Sequence, residues 1–288
     1  MTTTRARPLA ASMAFLAVAS LAGLAGCKLD ALIFDPVTVD EYHFASTVIP
    51  DSLRSVVSFP SGRETLYAVR VRRPGSGARL TVLLSHGKGG DISRAAEWKR
   101  VEALWQAGFD VVAYDYRGYG KSTGESDGEP NLLADARAAL TYVLTLPGVT
   151  TSTLVLYGHS LGGVPTTELA ATIGRASGPL RAVVLESSFA SGEAMAQSAT
   201  ILDIPGQWLI DGKFDNVGKL PDIHAPILIL AGSDDIQIPR AQTDALYAHA
   251  NDPKQLRIVA GAVHDDIPAR LGVTAYTALL QALTAPRP

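Results

Sequence analysis

The sequence predicts an α/β fold with a mostly parallel central sheet flanked by helices, and three observations carry that prediction. Short apolar runs alternate with segments of helical spacing along most of the chain. Glycine and proline punctuate the boundaries between them. The chain has 288 residues, 47% of them hydrophobic, so it can bury a large core without disulfides or structural metals.

The elements justify themselves in order. Residues 54–59 and 65–71 alternate apolar and polar positions around Pro60-Ser61-Gly62, which predicts a half-exposed antiparallel start. Residues 80–84, 109–114, 153–157, 182–185 and 227–231 are short continuous apolar runs, the pattern of buried parallel strands. Between them, Trp98, Val101, Leu104 and Trp105 share one face of a helix over 93–107 that Gly108 ends. Leu133, Ala136, Leu140, Val143 and Leu144 do the same over 131–146, where Pro147-Gly148 stops the helix. Residues 190–222 are too long for a simple crossover. They read as a small cap above the carboxyl ends of the strands, with Trp208 and Phe214 lining a substrate pocket beneath it.

The amino-terminal residues have a different character. Arg5 and Arg7 precede an uncharged apolar stretch from residue 8 to residue 26, the pattern of an export signal. It ends in Leu24-Ala25-Gly26-Cys27, and Cys27 is the one cysteine of the chain. A single cysteine excludes an intramolecular disulfide and any cysteine-based zinc site. The formal net charge of -3, with no run of like charges, argues against nucleic-acid binding.

Chemistry concentrates at Gly158-His159-Ser160-Leu161-Gly162-Gly163, a G-x-S-x-G between an expected strand and an expected helix. In that setting the motif is a nucleophile elbow, in which the turn strains the serine and side chains two residues before and after do not fit. A glycine-rich turn with a helix-capping serine is the bland alternative. An activated serine needs an imidazole to take its proton and a carboxylate to orient that imidazole. Both follow in the required order after later strands: Gly232-Ser233-Asp234-Asp235, then Gly261-Ala262-Val263-His264-Asp265-Asp266. The remaining five histidines carry bland readings, with His159 packing beside the elbow and His86 holding its own loop. His43, His224 and His249 have no partner motif. No H-E-x-x-H or H-x-x-x-H spacing occurs, so neither a metal nor a cofactor is expected.

These residues together resemble a small-cap α/β-hydrolase related to the Bem46 and depalmitoylase-like lipases and esterases. The resemblance rests on His86-Gly87, Asp115-Tyr116-Arg117-Gly118-Tyr119-Gly120-Lys121-Ser122, the elbow, Phe214-Asp215-Asn216, Asp235 through Pro239, and His264-Asp265. It implies the α/β-hydrolase fold over 53–288, a catalytic Ser160, Asp235 and His264, and an oxyanion hole from the backbone N–H groups of Leu161 and Lys88 (or Gly89). Asp235 is preferred to Asp234 because the run to Pro239 matches the family's D-x-x-[VI]-P. Lys88-Gly89-Gly90 departs from the family where an Asn is common, which bears on specificity more than on backbone donors. Asp115 and Arg117 are expected to be structural.

The implied activity is hydrolysis of a small carboxylic ester or thioester. A peptidase or amidase with the same residues, or a non-catalytic binding protein, are the alternatives. Residues 24–27 resemble the lipobox of bacterial lipoproteins, which implies a signal at 1–26, a lipidated Cys27, a tether over 27–52, and a membrane-anchored protein of a bacterial envelope. Each buried CH₂ of an acyl group contributes about 0.8 kcal/mol, and two or more chains make an anchor stable. Cys27→Ala is therefore expected to release the protein from membranes or to leave an unprocessed precursor. Fractionation showing normal processing and membrane retention of that variant would remove the reading.

Overall fold

The computed structural model describes residues 33–75, 79–199 and 212–286. Its strands are β1 (Arg54–Ser61), β2 (Glu64–Val71), β3 (Thr81–Ser85), β4 (Asp110–Tyr114), β5 (Leu154–His159), β6 (Ala182–Glu186), β7 (Ile227–Gly232) and β8 (Lys254–Val259). They form one sheet in the order β1-β2-β4-β3-β5-β6-β7-β8. β2 runs against both its neighbours, and every other pairing is parallel. The expected strands are all present, displaced by a residue or two at their ends.

The helices are α1 (Ala95–Gln106), α2 (Glu129–Leu144), α3 (Gly163–Arg175), α4 (Gly192–Ala199), α5 (Arg240–His249) and α6 (Ile267–Leu283). Successive strand residues point to opposite faces, so the continuous apolar runs feed two cores at once. Leu83, Leu154, Leu156 and Ile229 join one core, with α2 and α3 packed over it through Leu132, Ala136, Val164 and Leu169. Val82, Leu84, Val155 and Leu228 join the other, beneath Trp98, Val101 and Leu104 of α1 and Tyr276 and Leu280 of α6. Each fully buried aliphatic or aromatic side chain contributes roughly 1.5–3 kcal/mol.

The order of β4, β3 and β5 positions the site. The chain lays β4 on one side of β3 and then returns to lay β5 on the other. The loops leaving β3 and β5 therefore diverge at a topological switch point, the place where such sheets bind ligands.

Three expectations need correction. Residues 33–52, expected as a tether, lie packed against the domain, with Phe34 and Ile49 each under 4% exposed. Parallel bridges join Pro36 to Gly90 and Thr38 to Gly120. Backbone bridges and scattered side chains hold this segment, with Tyr42 donating to Asp115 and the Phe44 ring 4.6 Å from that of Trp98, and this leaves no periodic trace in the sequence. The buried face of α2 is Leu132, Asp135, Ala136, Ala139 and Val143, rotated from the expected one. Asp135 is drawn inward because Arg117 and Ser61 bind its carboxylate. Phe214, expected to line the pocket, is fully buried in the core, its ring 6.0 Å from that of Phe34. Trp208 and Cys27 lie outside the described residues.

One feature of the α1 face is polar. Arg100 donates to Glu97 Oε2 at 2.7 Å and to both carboxylate oxygens of Glu186 at 2.8 and 3.0 Å. Tyr157 donates to Glu186, and Tyr276 donates to Tyr157. Glu97, Arg100 and Glu186 are each at most 2% exposed. Burial, the largest influence, pushes both carboxyls up, but the Arg100 charge together with His159 and the hydrogen bonds they accept outweighs it and holds them below their ordinary value. Removing one partner of such a group leaves uncompensated charge in the core. Arg100→Met is expected to lower unfolding free energy by about 3–5 kcal/mol in urea denaturation, and a loss under about 1 kcal/mol would contradict the assignment.

Candidate active site

The elbow is built from the end of β5. Ser160 has φ +51°, in the left-handed region that a serine adopts only under constraint. A short 3₁₀ turn (Ser160–Gly162) then leads into α3. A Cβ on Gly158 would stand 2.4 Å from the Gly162 carbonyl oxygen. A Cβ on Gly162 would stand 1.9 Å from the Ser85 carbonyl oxygen at the end of β3. Both glycines are thus required by close backbone approach.

Asp235 lies after β7. Its Oδ1 accepts from the N–H groups of Gln237 and Ile238 at 2.9 and 3.0 Å, which closes a tight turn. Its Oδ2 is 2.9 Å from His264 Nδ1. With Nδ1 committed to that carboxylate, Nε2 is the ring nitrogen left for other work. Asp234 makes a different contact, accepting from Ser233 Oγ, and is exposed. Burial raises the Asp235 carboxyl, but the hydrogen bond and charge of His264 and the two N–H groups outweigh it, and the carboxyl lies below its ordinary value. The stabilisation from this pair is present above the unfolded carboxyl value and is lost as pH falls through the lower folded one.

His264 follows β8, on a loop whose end Asp266 secures by accepting from Val263 N–H. Ser160 and His264 line one cavity of about 400 Å³ and are 8% and 7% exposed. Lys88 and Gly89 line the same cavity. The two residues before them are fixed to the body: Tyr116 Oη donates to the His86 carbonyl at 2.8 Å, and Gly87 N–H donates to Glu97 Oε1 at 3.3 Å. Leu161 is buried beneath the turn and gives its side chain to the core. Asp115 is fully buried, accepts from Tyr42 Oη and Ile92 N–H, and stands 3.3 Å from His86 Nε2, a structural placement.

Known proteins share this arrangement of elements. Residues 76–214 match a family model described as serine aminopeptidase, S33. Rv2307c of Mycobacterium tuberculosis H37Rv is 31% identical over 224 residues, covering 77% of this chain and 75% of that one. The chain belongs to the α/β-hydrolase family. YfhR of Escherichia coli K12 is 33% identical over 196 residues, 67% of this chain and 66% of its own length. Among solved structures, the Pyrococcus furiosus esterase Pf2001 superposes with a TM-score of 0.66 at 16% identity, over 87% of this chain and 96% of that one. The last comparison speaks for the fold.

Sequence reasoning missed several residues of this α/β-hydrolase cavity. Asp35 and Val37 come from the segment read as a tether, and Arg94 and Gln237 complete the lining. Arg94 pairs with Asp265 at 3.1 Å. It also missed Glu97, although a signal existed: Glu97 and Arg100 fall on the same helical stripe as Val101 and Leu104, where charge is out of place. His159, His264 and Asp265 each bring a ligating atom within 4.8 Å of the others. Each already has a protein partner, in Glu97, Asp235 and Arg94 respectively. Gly162→Ala drives a methyl group into the Ser85 carbonyl, so it is expected to lower unfolding free energy by about 1–3 kcal/mol or more. A denaturation midpoint equal to that of the parent protein would refute this packing.

Proposed function

We propose that this α/β-hydrolase is a serine hydrolase of small carboxylic esters or thioesters. The observation that carries the reading is the 2.9 Å contact of His264 Nδ1 with Asp235, in a cavity that His264 shares with a strained Ser160. Ser160 Oγ attacks the acyl carbon while His264 Nε2 takes its proton. The tetrahedral oxyanion is held by the backbone N–H groups of Leu161 and Lys88 (or Gly89), a kind of stabilisation worth about 10²–10³ in rate per donor. The C–O or C–S bond then breaks, and His264 protonates the leaving group. Water, deprotonated by His264, releases the acid and restores Ser160. Asp235 holds the imidazole in the required tautomer throughout.

A second reading has its own support. The matched family model is described as a serine aminopeptidase, and an aminopeptidase needs an anion for the substrate ammonium. Asp35 presents a carboxylate to the cavity. Esters of p-nitrophenol set against aminoacyl p-nitroanilides separate the two readings.

The anchor belongs to the same proposal. Cys27 closing an apolar leader supports an exported lipoprotein held on an envelope membrane by its acyl chains. Among the described residues no helix is long and apolar enough to cross a membrane.

A fluorophosphonate probe is expected to label the parent protein and not Ser160→Ala. Asp235→Asn is expected to lose about 10⁴ in kcat through the wrong imidazole tautomer. Asp234→Asn is expected to stay within roughly tenfold, about 1.4 kcal/mol of barrier. The reverse ranking of the two variants in a kcat comparison would defeat the assignment.

A further inference from the structure

The proposed chemistry leaves one buried ionisable group beside the nucleophile without a role. His159 immediately precedes Ser160 and is 1% exposed. Its Nδ1 lies 2.8 Å from Glu97 Oε1, and its Nε2 lies 3.3 Å from the backbone carbonyl oxygen of His264. The two histidine rings stand 5.2 Å apart between centroids. Ser187 Oγ also donates to that carbonyl, at 3.1 Å. Asp265 Oδ1 is 3.5 Å from His159 Nε2, while its other oxygen takes Arg94.

The same Glu97 oxygen that meets His159 also accepts the N–H of Gly87, immediately before Lys88. Its second oxygen is held by Arg100, which is itself clamped on Glu186. One carboxylate therefore touches the loop after β3 and the residue beside the nucleophile directly, and through His159 it reaches the loop that carries His264. Apolar packing of equal volume would match or exceed the stability of such buried charges. What apolar packing lacks is direction, and three loops from three strands must agree here to within a fraction of an ångström.

We infer that Glu97 and His159 are positioning residues, which set the oxyanion loop and the base loop against the elbow through Gly87 N–H and the His264 carbonyl. The inference rests on the serine-hydrolase reading above and deepens it. His159 orients the main chain of His264 from behind, as Asp235 orients its ring.

Three substitutions in the full-length protein separate positioning from packing. His159→Gln puts an amide N–H near the position of Nε2 and keeps the contact to the His264 carbonyl. His159→Asn reaches only as far as Nδ1 and keeps the Glu97 contact alone. His159→Ala keeps neither. Positioning predicts that Asn and Ala lower kcat and the probe-labelling rate by about 10²-fold, as misplacement of reacting groups does. KM should stay within about 3-fold, and Gln should recover most of the lost rate. Gln and Asn should melt at similar temperatures, so that rate and stability part company. If Ala fails to fold, the Gln and Asn pair still decides.

Asn matching or exceeding Gln, or rates that track melting temperature across the set, would overturn the inference. Ser160→Ala is assayed alongside. If it abolishes labelling while His159→Asn labels like the parent, positioning fails and the reading of function stands. If Ser160→Ala still labels, both fail.

Discussion

Everything in the site hangs on how closely the turn after β5 approaches the end of β3. The two strands are paired in register, Ser85 against Gly158, so the turn has no freedom to back away. A Cβ at position 162 would sit inside the Ser85 carbonyl, and one at position 158 would sit inside the Gly162 carbonyl. This contact forces the chain to reverse within the turn and leaves Ser160 at φ +51°. Strain of that kind costs on the order of 1–3 kcal/mol and persists only where the surroundings over-determine it. Here two buried strands and the first turn of α3 do so. The benefit is directional, because the serine is delivered to the cavity beside the loop that follows β3.

The buried charges under the site solve a second problem posed by the same geometry. Loops at a switch point diverge, and no regular ladder joins them beyond the strand ends. Residues 86–89, 160–162 and 261–265 come from different strands and meet through side chains and single backbone bonds. Arg100 suits the task because a guanidinium offers five donors in a fixed fork, and Glu97 and Glu186 take three of them on two sides. Helix α1 can supply both Glu97 and Arg100 because it lies on the sheet face from which Tyr157 projects and Arg100 reaches across to Glu186. Each carboxylate is met by Arg100 and by a further donor, His159 or Gly87 N–H for Glu97 and Tyr157 for Glu186, so neither stands without a partner.

How much of this could be read from the chain depended on what each residue answers to. Buried parallel strands are apolar on both faces, so residues 80–84 and 227–231 announce themselves by composition alone. The elbow is legible because its glycines are steric requirements, the Asp235 loop because it follows such a strand, and the His264 loop because it follows the half-exposed edge strand β8 in the required order. Phe214 was misjudged because an apolar residue in an insertion can face the pocket or the core, and periodicity does not distinguish them. Glu97 and Arg100 went unread although they share the stripe of Val101 and Leu104, because the stripe shows that charge is out of place but not which buried partner answers it. Residues 33–52 gave no signal because their hold is made of irregularly spaced side chains, among them Phe34, Tyr42, Phe44 and Ile49, and of backbone bonds to Gly120 and a bridge to Gly90. Such bonds ask nothing of side-chain pattern.

That last segment links the two halves of the functional proposal. Asp35 and Val37 form part of the cavity wall, and Pro36 pairs with Gly90 on the loop that carries Lys88. The proposed acylation site at Cys27 stands eight positions before Asp35. A fully extended chain of that length spans at most about 29 Å, at about 3.6 Å per residue. A protein acylated at Cys27 would thus keep its cavity within that radius of its own acyl chains, however the intervening residues run. Esters or thioesters carried in the same leaflet would fall within reach without leaving the membrane, whereas an anchor placed at the opposite end of the strands would hold the cavity a full domain further away.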